Sequence, residues 1–324
     1  MAKMIPREGV LLYVYYVYMA IAIFGILTNT IFLVVCLSLK RLRNCCRLYM
    51  AISLADSVLA FAFLVTGYRR IAEMEGERGY VIYKSASSCA SELNVALMTF
   101  GSICPAFLTL YMGFDRLLSV KFPQMWRNLR YQHTISIACI FAFSLFSLFV
   151  GVTYGSIFLK HDDTPICSYS GSYGKVFGSY VYLSTILSHV VGFIFTLLAW
   201  REIRKCQQTE HPQKQNREMQ LLKLSIYATA SCLLLVVVPN GFLYCMNYGY
   251  GTAATVLAGF LYSAFCFRSS LNLFIFGLMN KDFRKCILVK FSTKVIDVTN
   301  QTTNGHVEKT EPKRPNVNNE TITS

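Results

Sequence analysis

Seven long apolar stretches, nearly free of charge, constrain this chain of 324 residues more than any other feature. They cover residues 10–39, 48–68, 93–114, 134–158, 176–200, 224–247 and 253–279. Even the shortest, with 21 residues, exceeds the roughly 18 to 20 that an α-helix needs to cross a hydrocarbon core. In lipid the backbone must satisfy its own hydrogen bonds, so each stretch is predicted to be a helix. The sequence therefore predicts an all-α bundle of seven transmembrane helices, and it excludes a soluble enzyme and a secreted disulfide scaffold.

The rest of the chain completes the predicted domain organisation. Residues 1–291 are predicted to form one transmembrane domain, and residues 292–324 a disordered polar tail. Between them, apolar side chains recur every four residues at Phe283, Ile287 and Phe291, with lysine and arginine on the other sides. This pattern predicts a short amphipathic eighth helix over 280–291, lying on the membrane surface. Cys286 in this helix is a candidate palmitoylation site, with an unmodified thiol as the alternative.

Basic residues are distributed unevenly between the two sides of the predicted bundle. The segments on the side of the C-terminus carry 22 Lys and Arg residues, and those on the other side carry 8. The positive-inside rule then places the N-terminus outside the cell and the C-terminus in the cytosol of a plasma-membrane protein. The net charge of +14 thus reflects topology and attraction to anionic lipid rather than binding to nucleic acid.

Cysteine positions agree with this topology. Of the 12 cysteines, only Cys89 and Cys167 fall in segments predicted to be extracellular. The oxidising side of the membrane favours a disulfide between them, which would tie the third helix to the loop before the fifth. Two unpaired thiols are the alternative.

Asp56 and Arg268 are the only residues with a formal charge inside the seven stretches. Each would cost at least ~2.5 kcal/mol alone at mid-bilayer, so pairing or a wet cavity is expected. Their predicted depths differ by roughly 5 Å, which an arginine can bridge. Asn29 lies at a similar depth, and Asn272 lies one turn from Arg268 on the same face. We expect these four residues to form a buried polar cluster that switches between two arrangements, with a purely structural contact as the alternative.

An adjacent acid and base, Asp115 and Arg116, end the third stretch, and Pro123 follows seven residues after the arginine. Asp115 can hold Arg116 against the bundle until a rearrangement frees it. Ordinary interfacial charge is the alternative interpretation.

These motifs together resemble those of the rhodopsin-like G-protein-coupled receptors. The matches follow the chain in order: Thr28-Asn29, Leu54-Ala55-Asp56, Asp115-Arg116-Leu117, Pro123, Pro239, and Asn272-Leu273-Phe274-Ile275-Phe276 followed by Phe283. Within that family the chain is similar to nematode serpentine chemoreceptors of the Srsx type. The stretches that carry this similarity are 42–46, 113–123 and 269–276.

The resemblance implies an olfactory or other chemosensory receptor that is not an enzyme and needs no cofactor or metal. It would activate a heterotrimeric G protein by outward movement of the cytosolic end of the sixth helix. Asp115, Arg116 and Pro123 would serve G-protein coupling. The activation switch would comprise Asn29, Asp56, Arg268, Asn272, Phe276 and Pro239. The ligand pocket would draw on Met98, Tyr180, Tyr182, His189, Tyr244, Asn247 and Tyr262, and for each of these interhelical packing is the alternative.

Three departures from the family pattern carry specific expectations. Arg268 stands where an asparagine is usual, and Pro105 where a serine helps to bind a sodium ion. We therefore expect the Arg268 guanidinium to pair with Asp56 in place of sodium. Met98 stands where amine receptors carry an aspartate, which favours another small ligand. A short peptide ligand, and thus a neuropeptide-type receptor, is the alternative.

Two other protein classes are less consistent with the sequence. A transporter or ligand-gated channel would be expected to carry more ionisable or broken-helix features at mid-membrane. Seven-span channels of the insect olfactory type also have their N-terminus in the cytosol, against the basic asymmetry found here. For a membrane enzyme, neither a His-Glu-x-x-His nor a Gly-x-Ser-x-Gly motif occurs in the sequence.

Overall fold

Seven long helices dominate the computed structural model, which describes residues 9–38, 40–76, 84–129, 132–159, 163–164, 167–206, 212–246, 253–280 and 283–284. The first five spans are Gly9–Ser38, Arg47–Gly76, Leu93–Lys121, Gln132–Phe158 and Tyr169–Cys206. The sixth comprises Pro212–Cys232, Leu233–Val237 and Val238–Met246, and the seventh is Ala253–Met279. All seven contain a segment long and apolar enough to cross a membrane. The predicted all-α, seven-span bundle is therefore confirmed.

Most spans extend beyond the apolar stretches that predicted them. The second helix continues past residue 68 to Gly76, and the third continues past residue 114 to Lys121. The length of an apolar stretch reflects the part of the chain in contact with hydrocarbon. The hydrogen-bonded helix is longer because it continues into the polar interface, where charged side chains are tolerated. The seventh helix is continuous through Leu273 and coincides with the predicted 253–279.

The fifth helix changes direction at Gly174, whose φ of 82° and ψ of 160° are not helical. A residue with a Cβ atom rarely adopts this conformation, and glycine does so without steric cost. Gly174 thereby separates the short helical segment that follows Cys167 from the fifth span itself. The predicted start of this span at residue 176 lies close to that break.

The sixth span contains a π-helical turn over Leu233–Val237, just before Pro239. In it the Val238 N–H donates to the carbonyl of Leu233, five residues earlier. A proline ring clashes with the carbonyl four residues before it in a regular α-helix, and a wider turn relieves that clash. The regular helix below this turn, Pro212–Cys232, is therefore joined to the upper part through an irregular segment.

The third span is the most buried of the seven, and the fourth span is the least buried. The third span approaches the fifth span most closely at Gly113 and Gly192. A Cβ on Gly192 would lie 2.8 Å from the carbonyl oxygen of Thr109. Small residues permit such close helix contact in membranes, where packing drives association.

The two ends of the bundle carry different short elements. At one end, which we call the disulfide end, Cys89 and Cys167 form a disulfide, as predicted. Beside it Lys84–Ser85 pairs antiparallel with Asp163–Thr164, a two-stranded element that the sequence did not predict. At the opposite end, which we call the Arg116 end, short helices Lys40–Cys45 and Pro123–Leu129 connect the spans.

By its internal contacts the chain divides into Met1–Phe283, which contains the bundle, and Arg284–Ser324. Within the predicted amphipathic helix 280–291, the structure describes Asn280, Phe283 and Arg284. The Phe283 ring is fully buried, with its centroid 5.6 Å from that of Phe32. Cys286 and the predicted tail over 292–324 lie outside the described residues.

Candidate functional site

A buried ion pair lies in the middle of the bundle. Arg268 of the seventh span donates from Nη1 to Asp56 Oδ1 of the second span. Asn272, one turn further along, donates from Nδ2 to Asp56 Oδ2 at 2.7 Å. Asp56 is 0% exposed and Arg268 is 5% exposed. Both carboxylate oxygens are thus held by donors from one face of the seventh span.

Asn29 joins the same region from the first span. Its Nδ2 donates to the carbonyl of Ser269 at 2.9 Å, and its Oδ1 accepts from Ser53 Oγ at 2.7 Å. Asn29 therefore links the first span to the second and the seventh. Sequence reasoning missed Ser53, although its position three residues before Asp56 on the same helix face was an available signal.

A further partner of Arg268 comes from the sixth span. The Arg268 Nε lies 3.2 Å from the sulfur of Cys232 and donates to it. One guanidinium consequently connects the second, sixth and seventh spans. The sequence offered no signal for this contact, because a buried cysteine usually behaves as a small apolar residue.

Both oxygens of the Asp56 carboxylate accept hydrogen bonds from the seventh span. One carboxylate oxygen accepts from a guanidinium and the other from an amide N–H, so positive charge and donor groups face the acid.

At the Arg116 end, the Asp115 carboxylate has partners on both of its oxygens. Asp115 Oδ2 lies 3.5 Å from Arg116 Nη2. Its Oδ1 accepts from the Trp126 indole N–H at 2.9 Å and lies 3.4 Å from His133 Nε2. Tyr111 Oη in turn lies 2.8 Å from His133 Nδ1. The acid beside Arg116 is thereby held by the third span, by the fourth span and by the short helix between them.

Pro123 positions one of these partners. It begins the helix Pro123–Leu129, and proline is well suited to a first helical position because that N–H would have no helical acceptor. Trp126 follows three residues later, one turn along. Sequence reasoning missed both Trp126 and His133; the spacing of Trp126 from Pro123 was the one available signal.

Aromatic rings fill the space between Asn272 and the Arg116 end. Phe276 is buried, with its ring centroid 4.7 Å from those of Phe32 and Tyr49. Pro239 is also buried, on the sixth span directly above the π turn. Pro239 thus lies on the sixth span, the helix whose movement the family resemblance implies, and Phe276 lies on the seventh span.

Part of the predicted pocket comes together at the disulfide end. The hydroxyls of Tyr182 and Tyr262 lie 2.8 Å apart, joining the fifth and seventh spans. Tyr169, which follows Cys167 by two residues, packs edge-on against both rings. Its hydroxyl lies 2.9 Å from Ser102 Oγ of the third span. Sequence reasoning missed Tyr169 and Ser102, although the disulfide places the former over the bundle.

The remaining pocket candidates are dispersed. Met98 is buried, 3.6 Å from the hydroxyl of Thr66, and His189 is buried on the inner face of the fifth span. Tyr244 packs at the border of the apolar core. Tyr180 is 37% exposed, and its hydroxyl lies 3.2 Å from Ser147 of the fourth span. Asn247 lies outside the described residues.

A seven-span bundle with a disulfide at one end, an Asp-Arg pair at the other and a buried ion pair between them has the architecture of a seven-transmembrane receptor. The family model described as "Serpentine type 7TM GPCR chemoreceptor Srsx" matches residues 22–291. The chain therefore belongs to this family of serpentine chemoreceptors, a class of receptors and not of enzymes, as its sequence motifs predicted. No curated protein matches the chain at a significant level.

Proposed function

We propose that this protein is a chemosensory receptor of the plasma membrane, with its N-terminus outside the cell and its C-terminus in the cytosol. The disulfide lies at the end whose connecting segments carry 8 basic residues, and Arg116 lies at the end whose segments carry 22. Disulfide chemistry and the positive-inside rule thus favour the same orientation. Epitope tags on the two termini, probed in intact and permeabilised cells, test it. An N-terminus detectable only after permeabilisation would overturn the proposal.

The ligand is a small molecule that reaches the bundle from the disulfide end. The hydroxyl cluster of Tyr182, Tyr262, Tyr169 and Ser102 supports this location because it joins three spans and the loop segment after Cys167. These side chains and Met98 carry no formal charge, which favours a ligand recognised by hydrogen bonds and aromatic contact over a cationic amine.

The receptor acts by conformational change rather than catalysis, and it activates a heterotrimeric G protein. Arg116 and Asp115 lie where the third span ends, beside the helix that begins at Pro123. The π turn before Pro239 provides the irregular segment about which the lower sixth span can swing outward. A gap opened beside Arg116 in this way would receive the Gα subunit.

The buried Asp56–Arg268 pair carries this proposal, because it places a charged contact among three spans where two packings can differ little in energy. Coupling is tested by co-expressing the receptor with a panel of Gα subunits and measuring basal nucleotide exchange. Arg116→Ala should abolish the exchange. Arg43→Ala, an exposed arginine on the same side of the membrane, should leave it intact. Loss of exchange in both variants, or in neither, would contradict the assigned role of Arg116.

Arg268 replaces the sodium ion of related receptors in this switch. The two donors on Asp56 support this role. Basal exchange should therefore stay constant when sodium is exchanged for a larger organic cation at fixed ionic strength. A decrease that follows the sodium concentration, and is absent with the organic cation, would refute the replacement.

A further inference from the structure

A hydrogen bond between the second and sixth spans lies at the Arg116 end. The hydroxyls of Tyr49 and Ser225 are 2.6 Å apart. Tyr49 lies two residues inside the start of the second span, and Ser225 lies on the regular lower helix of the sixth span. Both residues are buried. This bond therefore joins the lower sixth span to the fixed part of the bundle.

The Tyr49 ring cannot follow the sixth span if that helix moves outward. It packs edge-on against Phe276 of the seventh span, at 4.7 Å and 79° between the planes. Phe276 in turn packs against Phe32 of the first span at 4.7 Å. Since the ring is fixed by the first and seventh spans, outward displacement of Ser225 must break the bond.

Ser225 keeps a partner when that bond is broken. Its Oγ also lies 3.2 Å from the carbonyl of Leu221 in its own helix and can donate to it. A buried hydroxyl left without any partner destabilises a protein, and this second acceptor avoids that penalty for the serine. The bond is thereby strong enough to bias a conformation and weak enough to be released.

A second contact holds the sixth span one level higher. Cys232, which accepts from Arg268, lies seven residues after Ser225, so two helical turns place both on one face roughly 10 Å apart. The π turn begins at the next residue, Leu233. The helix Pro212–Cys232 is therefore a regular segment that can move as one unit, with the π turn at its upper end and the Tyr49 contact in its lower part.

We propose that Tyr49 and Ser225 form the latch that holds the lower sixth span against the bundle in the resting receptor. They are positioning residues, since they act through the helix and not by contact with a ligand or a G protein. This inference rests on the proposed coupling function, because it assigns the contact that opposes outward movement of the sixth span.

The latch is tested first without any G protein. Distance probes are attached to noncanonical amino acids that replace the exposed residues Lys121 of the third span and Lys223 of the sixth. Distances are measured in purified receptor in lipid nanodiscs. Tyr49→Phe removes only the hydroxyl and should raise the ratio of long to short distances about twofold to tenfold, the range that corresponds to one net hydrogen bond. Ser225→Ala should do the same, and Ser225→Thr should restore the short distances.

Two matched controls lie on the same helix. Tyr227→Phe removes a phenol hydroxyl that faces outward from a ring 56% exposed. Ser231→Ala removes a hydroxyl that bonds to the Ala228 carbonyl of its own helix. Neither should change the distances. The double variant Tyr49→Phe/Ser225→Ala should shift them no further than either single variant, because both remove one shared contact. Unchanged distances in Tyr49→Phe, or fully additive shifts in the double variant, would overturn the latch.

Basal nucleotide exchange on the co-expressed Gα panel separates the latch from the coupling function. Longer distances with raised exchange support both. Longer distances in Tyr49→Phe with no exchange on any Gα subunit support the latch and contradict the proposed coupling. Raised exchange without longer distances contradicts the latch and leaves coupling supported.

Discussion

Two ionic clusters in this molecule use the same side-chain chemistry in opposite surroundings. In the middle of the membrane, Asp56 and Arg268 pair across 212 residues of sequence with almost no exposed surface. At the disulfide end, a group of charges that we call the rim network lies partly open to solvent. Its members are Arg69, Arg70, Glu73, Lys84 and Glu92. Lys84 Nζ lies 2.6 Å from Glu73 Oε1 and 3.2 Å from Glu92 Oε1. Arg69 Nη2 lies 2.9 Å from Glu92 Oε1, and Arg70 Nη1 lies 3.2 Å from Glu73 Oε2.

The difference in solvent exposure decides what each cluster can do. A buried pair adds little net stability over an apolar replacement, yet removal of one partner leaves an uncompensated charge at a cost of about 3 to 5 kcal/mol. A partly exposed pair is screened by water and salt and contributes about 0 to 1 kcal/mol. The middle pair therefore couples three spans to one another, whereas the rim network contributes little to the stability of the bundle.

The largest effect is expected from removal of one half of the middle pair. Arg268→Met keeps much of the side-chain volume and leaves the Asp56 carboxyl without its cation. We expect the receptor to lose about 3 to 5 kcal/mol of stability. Surface expression and the melting temperature of detergent-solubilised receptor measure this loss.

The double variant Asp56→Leu/Arg268→Met is the matched control, because it removes both charges and fills the space with apolar atoms. Its stability should recover to near that of the wild type while any switching is lost. Equal stability of the wild type and the Arg268→Met variant would show that the middle pair does not hold the bundle.

The disulfide beside the rim network should contribute the next largest effect. Cys89→Ser releases the loop before the fifth span, and the loss of such a bond typically costs about 2 to 4 kcal/mol. Mild reduction of the wild type should lower its melting temperature by the same amount. Cys245→Ser alters an exposed free cysteine and should leave the melting temperature unchanged. An equal decrease in that variant would show that loss of the disulfide does not account for the effect of Cys89→Ser.

A smaller loss is expected when the middle pair is kept and its neutral partner removed. Asn272→Ala deletes the amide that donates to Asp56 Oδ2 at 2.7 Å. Since a hydrogen bond to a charged group contributes about 1.5 to 3 kcal/mol, the melting temperature should fall by less than in Arg268→Met. Asn240→Ala removes an amide that donates to the Val236 carbonyl of its own helix. This variant should lower the melting temperature by less than Asn272→Ala does. The reverse order of these two variants would contradict the role given to Asn272.

The contacts that the sequence predicted differ from those that it did not predict in a physical respect. A charge in an apolar stretch is costly and must find a partner. Since Asp56 and Arg268 are the only two charges in the seven stretches, the sequence predicted that they pair. Tyr49, Ser225, Trp126 and His133 gave no such signal. Amphipathic side chains are common near helix ends, and their partners depend on helix rotation and crossing angles that composition does not determine.

The seven spans were predictable because hydropathy follows the thickness of the bilayer. The helix ends and the two-stranded pairing of Lys84–Ser85 depend instead on interfacial hydrogen bonds. The break at Gly174 depends on a backbone conformation that glycine adopts without steric cost. In the predicted pocket, seven side chains shared only an approximate depth. The structure joins Tyr182 to Tyr262 and turns Tyr180 towards the fourth span, a distinction set by the roughly 200° of helix rotation between two positions that are two residues apart.

The smallest effect is expected from the rim network itself. Partial burial alone would lower the pKa of Lys84, but the hydrogen bonds and charges of Glu73 and Glu92 outweigh it, so the pKa lies above its ordinary value. Because the folded-state pKa is raised, the contribution of Lys84 is fully present below the ordinary lysine pKa of about 10.4 and is lost as the pH rises through the folded-state value.

Lys84→Met should therefore lower stability by about 1 kcal/mol or less at neutral pH. The difference from the wild type should shrink above pH ~10.4 and in high salt, which screens partly exposed charges. Thermal unfolding of both proteins across pH and salt measures it. The same salt should leave the Arg268→Met difference unchanged, because the middle pair is shielded from ions by the surrounding spans. An equal salt response of the two variants would contradict the distinction between a buried pair shielded from ions and a partly exposed network that ions screen.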